Sequence, residues 1–235
     1  MSKLGVDIAR AVVKIVGRMP LKVHYFFADI IAWLAGKVVR YRSDVVLINL
    51  SRSFPEKKYR ELMKIKDDFY RHFAEIFVEA IWFGASDYKR LHESGIVTIT
   101  NPEVLNEYIA GADNTTVLFS HCGNWEVLGG FLGYRTANET AIEMEEEQIK
   151  VVYKELHSAF SNEFFKHNRV APLEKVGTTC EIESSNILRY AIKHRNEKNV
   201  YIYIADQFPY QGSHEIGKFM NQTTFAMLGS AGVAH

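Results

Sequence analysis

The chain has 235 residues, 47% of them hydrophobic and 24% charged, which supplies one sizeable core and excludes the disordered, collagenous and disulfide-rich classes. Its 28 basic residues balance 28 acidic ones, so no global basic field points to nucleic acid as a partner. Cys122 and Cys180 are far apart and in no metal-ligand spacing, which fits a reduced compartment.

The first 42 residues are locally unbalanced: Lys3, Arg10, Lys14, Arg18, Lys22, Lys37, Arg40 and Arg42 stand against only Asp7 and Asp29. Inside them, Leu21 to Val39 approaches the roughly 20 mainly apolar residues of a bilayer-crossing helix, but His24 and Asp29 interrupt it. Tyr25, Trp33 and the flanking basic residues are types that settle at headgroup level, and the basic excess attracts anionic lipid. Residues 1–42 are therefore expected to form a membrane-interface segment ahead of a globular domain over 43–235; an ordinary buried helix is the competing reading. No small-residue cleavage site follows an apolar core, so a secretory signal peptide is not expected.

Next, Leu62, Ile65, Phe69, Phe73, Ile76, Phe77, Ala80 and Ile81 recur at helical steps, with Ser53 and Pro55 as a start signal, and predict a helix over 56–83. Its aromatic residues (Phe69, Tyr70, Phe73, Phe77, Trp82 and Phe83) are read as core, with the lining of an acyl-chain channel as the alternative. Beyond it the runs 96–100, 116–120, 149–153 and 200–205 are β-branched or aromatic and predict strands. Helical stretches near 102–110, 125–135, 155–167 and 183–194 lie between them. Alternation of this kind implies an α/β fold, with a mainly parallel central sheet flanked by helices and functional residues beyond the carboxyl ends of its strands. His121 follows one predicted strand; Asp206 and Gln207 follow another. The acidic run 143–147 is read as a solvated surface.

In "LFSHCGNWEVLGG" (118–130) His121 stands five positions before Glu126. Along one helix that is a rotation of about 140°, so the two side chains would diverge. They converge only if the chain turns through Cys122, Gly123 and Asn124 and starts a helix near Trp125, and Gly and Asn tolerate the angles this needs. A carboxylate bonded to one ring nitrogen then fixes the tautomer, and the other nitrogen takes a proton from a hydroxyl: a base without a protein nucleophile. A purely structural pair has the same spacing. No GxSxG elbow, P-loop, GxGxxG or HExxH is present to suggest other chemistry.

"HCGNWE" resembles the H-x4-D/E signature of glycerolipid-type acyltransferases, in the HxGNWE form of the lipid A biosynthesis lauroyl/myristoyl acyltransferases. The resemblance continues through "YRSDVVLINLSRSFPE", "FYRHFAEIFVE", "VVYKELHSAF" with Arg169 beyond it, "ADQFP" and "GKFMNQTTFAMLG", spanning roughly residues 20–229. It implies a glycerolipid acyltransferase-like fold and transfer of a fatty acyl group from an acyl carrier protein thioester to a hydroxyl of a lipid A precursor. The expected place is the cytoplasmic face of a bacterial inner membrane. His121 is then the base and Glu126 its orienting partner; Arg169 or backbone N–H groups after Asn124 meet the oxyanion, or Arg169 holds an acceptor phosphate. Asp206 and Gln207 shape the site or are structural. No metal or organic cofactor is implied. Related acceptors (a lysophospholipid, an aminolipid, a phosphoinositide mannoside) fit the same motifs, and a membrane-associated lipid-binding remnant without activity is the reading from another class. Family members continue past the final glycine with a further glutamate, whereas "GSAGVAH" has none, so the resemblance carries the expectation that the C-terminal part is truncated, leaving an exposed apolar edge and a slower enzyme.

Overall fold

The computed structural model describes residues 3–156, 158–207, 213–226 and 229. The stretch on which the expected C-terminal truncation turns lies, apart from Gly229, outside the described residues.

Four helices open the chain: α1 (Lys3–Val16), α2 (Leu21–Trp33), α3 (Ser43–Ser53) and the long α4 (Tyr59–Phe83). The helix predicted over 56–83 is α4; its first turn begins after Pro55, and Glu61 Oε2 accepts from the Lys58 N–H at 2.9 Å, satisfying an otherwise orphaned donor. The apolar segment 21–39 is not one continuous α-helix, because a π-helical turn, Leu34–Val38, interrupts it. Gly36 lies there against the ring of Tyr70, where a Cβ would meet the ring carbon Cδ2 at 2.8 Å. His24 and Ala28 of α2 are buried and Tyr25 packs with Ala28 against Ala74 and Val78 of α4. Val23, Phe26, Phe27, Ile30 and Trp33 recur at helical steps on the opposite face and are exposed. Among the described residues no helix is long and apolar enough to cross a membrane.

The aromatic residues of α4 divide by face. Tyr70, Trp82 and Phe83 are buried, as the core reading expects. Phe69, Phe73 and Phe77, four residues apart, are 41%, 42% and 54% exposed, with Phe69 stacked on Phe73 and Phe73 on Tyr41.

After α5 (Tyr88–Ser94) come β1 (Thr98–Ile99), α6 (Pro102–Gly111), β2 (Thr115–Phe119), a 3-10 helix (Trp125–Gly133), β3 (Arg135–Thr136), β4 (Ile149–Tyr153), α7 (Ala159–Arg169), β5 (Glu181–Glu183), α8 (Ile187–Lys193) and β6 (Val200–Ile204). The main sheet is parallel throughout, in the order β2-β6-β4-β5, so the last of these strands to be made sits between two earlier ones. Val200, Tyr201 and Ile202 of β6 are buried, which is why this run reads as continuously apolar rather than alternating. Val200 and Ile202 join Ile149, Ile109, Val170 and Leu173 in one core cluster, while Tyr201 packs with Ile182 and Ile187; Trp82, Phe83, Leu91, Val127 and Tyr134 form a further cluster under the 3-10 helix. The strand predicted over 96–100 is short and joins β3 outside the main sheet. An antiparallel hairpin, β7 (His214–Phe219) and β8 (Gln222–Ala226), has no counterpart among the strands that the sequence predicts. Its turn places both Met220 and Asn221 at positive φ, the twist-matched geometry of a two-residue hairpin loop.

Candidate functional site

His121 lies just past the end of β2 and Asp206 just past the end of β6. The parallel register explains their meeting: Phe119 faces Ile204, the Ala205 N–H donates to the Phe119 carbonyl at 2.9 Å, and two residues beyond the last pair His121 faces Asp206. Two hydrogen bonds join them. The His121 backbone N–H donates to Asp206 Oδ2 at 2.8 Å, and Nδ1 lies 2.5 Å from Oδ1. Burial works to raise the Asp206 carboxyl, but the side-chain and backbone bonds from His121 outweigh it and hold it below the usual carboxylate range. With that carboxylate ionised, Nδ1 carries the proton and donates, and Nε2 is left as the acceptor. Trp125 packs edge-on against the imidazole, ring centroids 4.7 Å apart.

The turn read from the sequence is present: Gly123 has φ 64° and Trp125 opens a helix. That helix is 3-10 rather than α, because it is drawn tightly against α7, where Gly129 leaves room for the carbonyl of Arg169 and a Cβ would collide with it. In consequence Glu126 turns toward α7. Its Oε2 lies 3.4 Å from Arg169 Nε, an ion pair in which both side chains are mostly enclosed. No hydrogen bond joins Glu126 to His121 among the described residues; the carboxylate on the imidazole is that of Asp206, which the strand register brings nearer.

Asn124 caps the 3-10 helix, its Oδ1 accepting from the Glu126 N–H at 3.1 Å. That N–H, one of those expected to meet an oxyanion, is thus engaged. The Asn124 amide Nδ2 donates to the Ile76 carbonyl at 3.1 Å and to Glu79 Oε2 at 2.8 Å, and Glu79 Oε1 accepts from the Tyr25 hydroxyl at 2.7 Å. Arg169 also lies over the ring of Phe165, 5.9 Å from its centroid. Gln207 is exposed at the same strand end as Asp206, with no hydrogen bond to His121 or Glu126 among the described residues.

Sequence reading thus finds His121, Asn124, Glu126, Arg169 and Asp206 in one neighbourhood, though differently partnered. It misses Glu79, Tyr25 and Trp125. Glu79 shares α4 with the aromatic residues read as core, and its carboxylate, placed directly between buried Val78 and Ala80, is the signal available.

Compared with known families, residues 3–234 match the model described as bacterial lipid A biosynthesis acyltransferase. Comparison with individual curated proteins gave no match.

Proposed function

We propose that this chain, which belongs to the bacterial lipid A biosynthesis acyltransferase family, takes its acyl group from an acyl carrier protein thioester and uses His121 as the general base. The carrying observation is the imidazole held at a strand end by Asp206 through Nδ1, with Nε2 free to accept. Nε2 takes the proton of an acceptor hydroxyl on the lipid A precursor as its oxygen attacks the thioester carbonyl carbon. The tetrahedral intermediate collapses by breaking the C–S bond, and the leaving thiolate recovers the proton from the imidazolium. Asp206 stabilises that imidazolium without being protonated itself.

In this reading the motif's two ends have separate partners. Asp206 orients His121, while Glu126 anchors Arg169 through Nε, leaving the remaining guanidinium N–H groups to meet the oxyanion or an acceptor phosphate. The exposed stripe of Phe69, Phe73 and Phe77 offers the acyl chain an apolar track on the helix whose Ile76 and Glu79 hold Asn124. The exposed face of α2 and the basic N-terminal residues support attachment at the cytoplasmic surface of the inner membrane.

The test is His121→Ala assayed with lauroyl–acyl carrier protein and a hydroxylated lipid A precursor. Loss of about 10²- to 10⁴-fold in kcat in a folded protein is expected. Near-normal transfer would remove His121 from the chemistry.

A further inference from the structure

We infer that Glu79 is a positioning residue for acyl transfer: it fixes the Asn124 amide, and through it the loop carrying His121 and Glu126, while Tyr25 of α2 fixes Glu79. The inference rests on the reading that this loop carries the chemistry.

The chain of contacts is continuous. Tyr25 donates to Glu79 Oε1 at 2.7 Å, Asn124 donates to Glu79 Oε2 at 2.8 Å, and the Glu126 N–H donates to Asn124 Oδ1 at 3.1 Å. A side-chain amide has one accepting and one donating end, and only one orientation satisfies these partners. Both acceptors facing Asn124 on the α4 side, the Ile76 carbonyl and the Glu79 carboxylate, require its NH₂ group, so Oδ1 is directed to the Glu126 N–H. Without the carboxylate, one donor of the amide loses its partner and the flipped orientation becomes less costly; flipped, the amide would set its NH₂ against the Glu126 N–H. Between the bonds of His121 to Asp206 and the pairing of Glu126 with Arg169, the turn itself is lightly restrained. Gly123 at φ 64° has open space around it, and the next backbone bond, Val127 N–H to the Asn124 carbonyl, is long at 3.5 Å. Tyr25 is held by its own packing beside Ala28, and its hydroxyl is shifted strongly toward the protonated form by burial and then by Glu79, so it remains a donor. Neither Glu79 nor Tyr25 touches the place where the thioester would react; they act through Asn124.

Two readouts on the intact protein test this: steady-state transfer from lauroyl–acyl carrier protein, and hydrogen exchange of the backbone amides in 121–128. Glu79→Leu is expected to lower kcat by about 10- to 100-fold, the scale of a misplaced reacting group. KM for the donor should stay within about twofold, and exchange at Glu126 should quicken, because the defect is in orientation rather than binding. Glu79→Gln still offers an amide oxygen to Asn124 and should restore kcat to within about threefold of the parent and slow the exchange again. Tyr25→Phe removes one hydroxyl with little loss of packing, so it reads the same relay if Glu79→Leu folds poorly; a fall in kcat of about three- to tenfold is expected, with faster exchange at Glu126. Parent-like kcat in folded Glu79→Leu or Tyr25→Phe, unchanged exchange at Glu126, or a loss carried wholly by KM would overturn the inference. His121→Ala assayed alongside separates the two ideas: its inactivity with fully active Glu79 and Tyr25 variants defeats the positioning role alone, and its full activity defeats the reading of the site.

Discussion

Asp206 carries a charge whose state can be followed in stability as well as in turnover. Its carboxyl lies below its ordinary value of 3.8 in the folded protein, so its contribution to stability is fully present above that value and is lost as pH falls through the lower folded one. Asp206→Asn should remove this acid-limb dependence, visible as a flatter melting temperature below about pH 4. Transfer should also fall, by up to about 10²- to 10⁴-fold, because an asparagine can place its NH₂ against the imidazole and favour the wrong tautomer. A variant with unchanged kcat would leave His121 without need of the pairing. Both residues stand out in the sequence because each directly follows a predicted strand. Their partnership does not, because it depends on which strand neighbours β2, and they are 85 residues apart. The five-residue spacing to Glu126 is local and therefore conspicuous, yet the turn at Gly123 and the close approach of α7 send that carboxylate to Arg169.

The elements that sequence patterning identifies are those whose own residues determine them. Helix α4 has eight turn-spaced apolar positions, and β4 coincides with the run 149–153. The 3-10 helix is different: its apolar residues suit any helix, and the tightening comes from contact with α7 across Gly129. Strand β5 has three residues, Glu181, Ile182 and Glu183, and exists because β4 offers an edge. That edge leaves a testable mark. Both carboxylate oxygens of Glu181 are enclosed without a hydrogen-bond partner, and burial, opposed by Arg169, pushes the group from 4.5 up to about 8. An acid raised in the folded state binds more protons there than in the unfolded chain, so stability falls as pH rises from 4.5 toward 8 and stays reduced above it. Glu181→Gln should abolish that slope and raise the melting temperature at pH 8.5 by several degrees, at about 2–4 °C per kcal/mol for a chain of this size. A parallel pair of melting curves from pH 5 to 9 would contradict the assignment.

For the whole molecule, helical packing assigns the N-terminal apolar residues to two faces. His24 and Ala28 turn inward while Phe26 and Trp33 turn outward, so the sequence alternatives of interface segment and buried helix describe opposite sides of one helix. If the outward side meets lipid, the double variant Phe26→Ser, Trp33→Ser should bind anionic vesicles at least about tenfold more weakly, since each ring contributes roughly 1.5–3 kcal/mol when buried. Added salt should weaken the parent as well. Cosedimentation equal to the parent's would place the membrane contact elsewhere.

The insertion of β6 between β2 and β4 bears on how the protein is made. Until residues 200–204 leave the ribosome, β2 has no neighbour in its sheet and β4 has only the three residues of β5, so the two halves of the sheet cannot join. At about 5–20 residues per second, the 85 residues between His121 and Asp206 correspond to a delay of roughly 4–17 s. Through that interval the nascent chain exposes an unpaired strand edge beside helices that already present apolar faces, which is when a chaperone would matter most. The His121–Asp206 pair is therefore withheld until the central strand closes the sheet, so a chain that ends before residue 206 has an imidazole without its carboxylate.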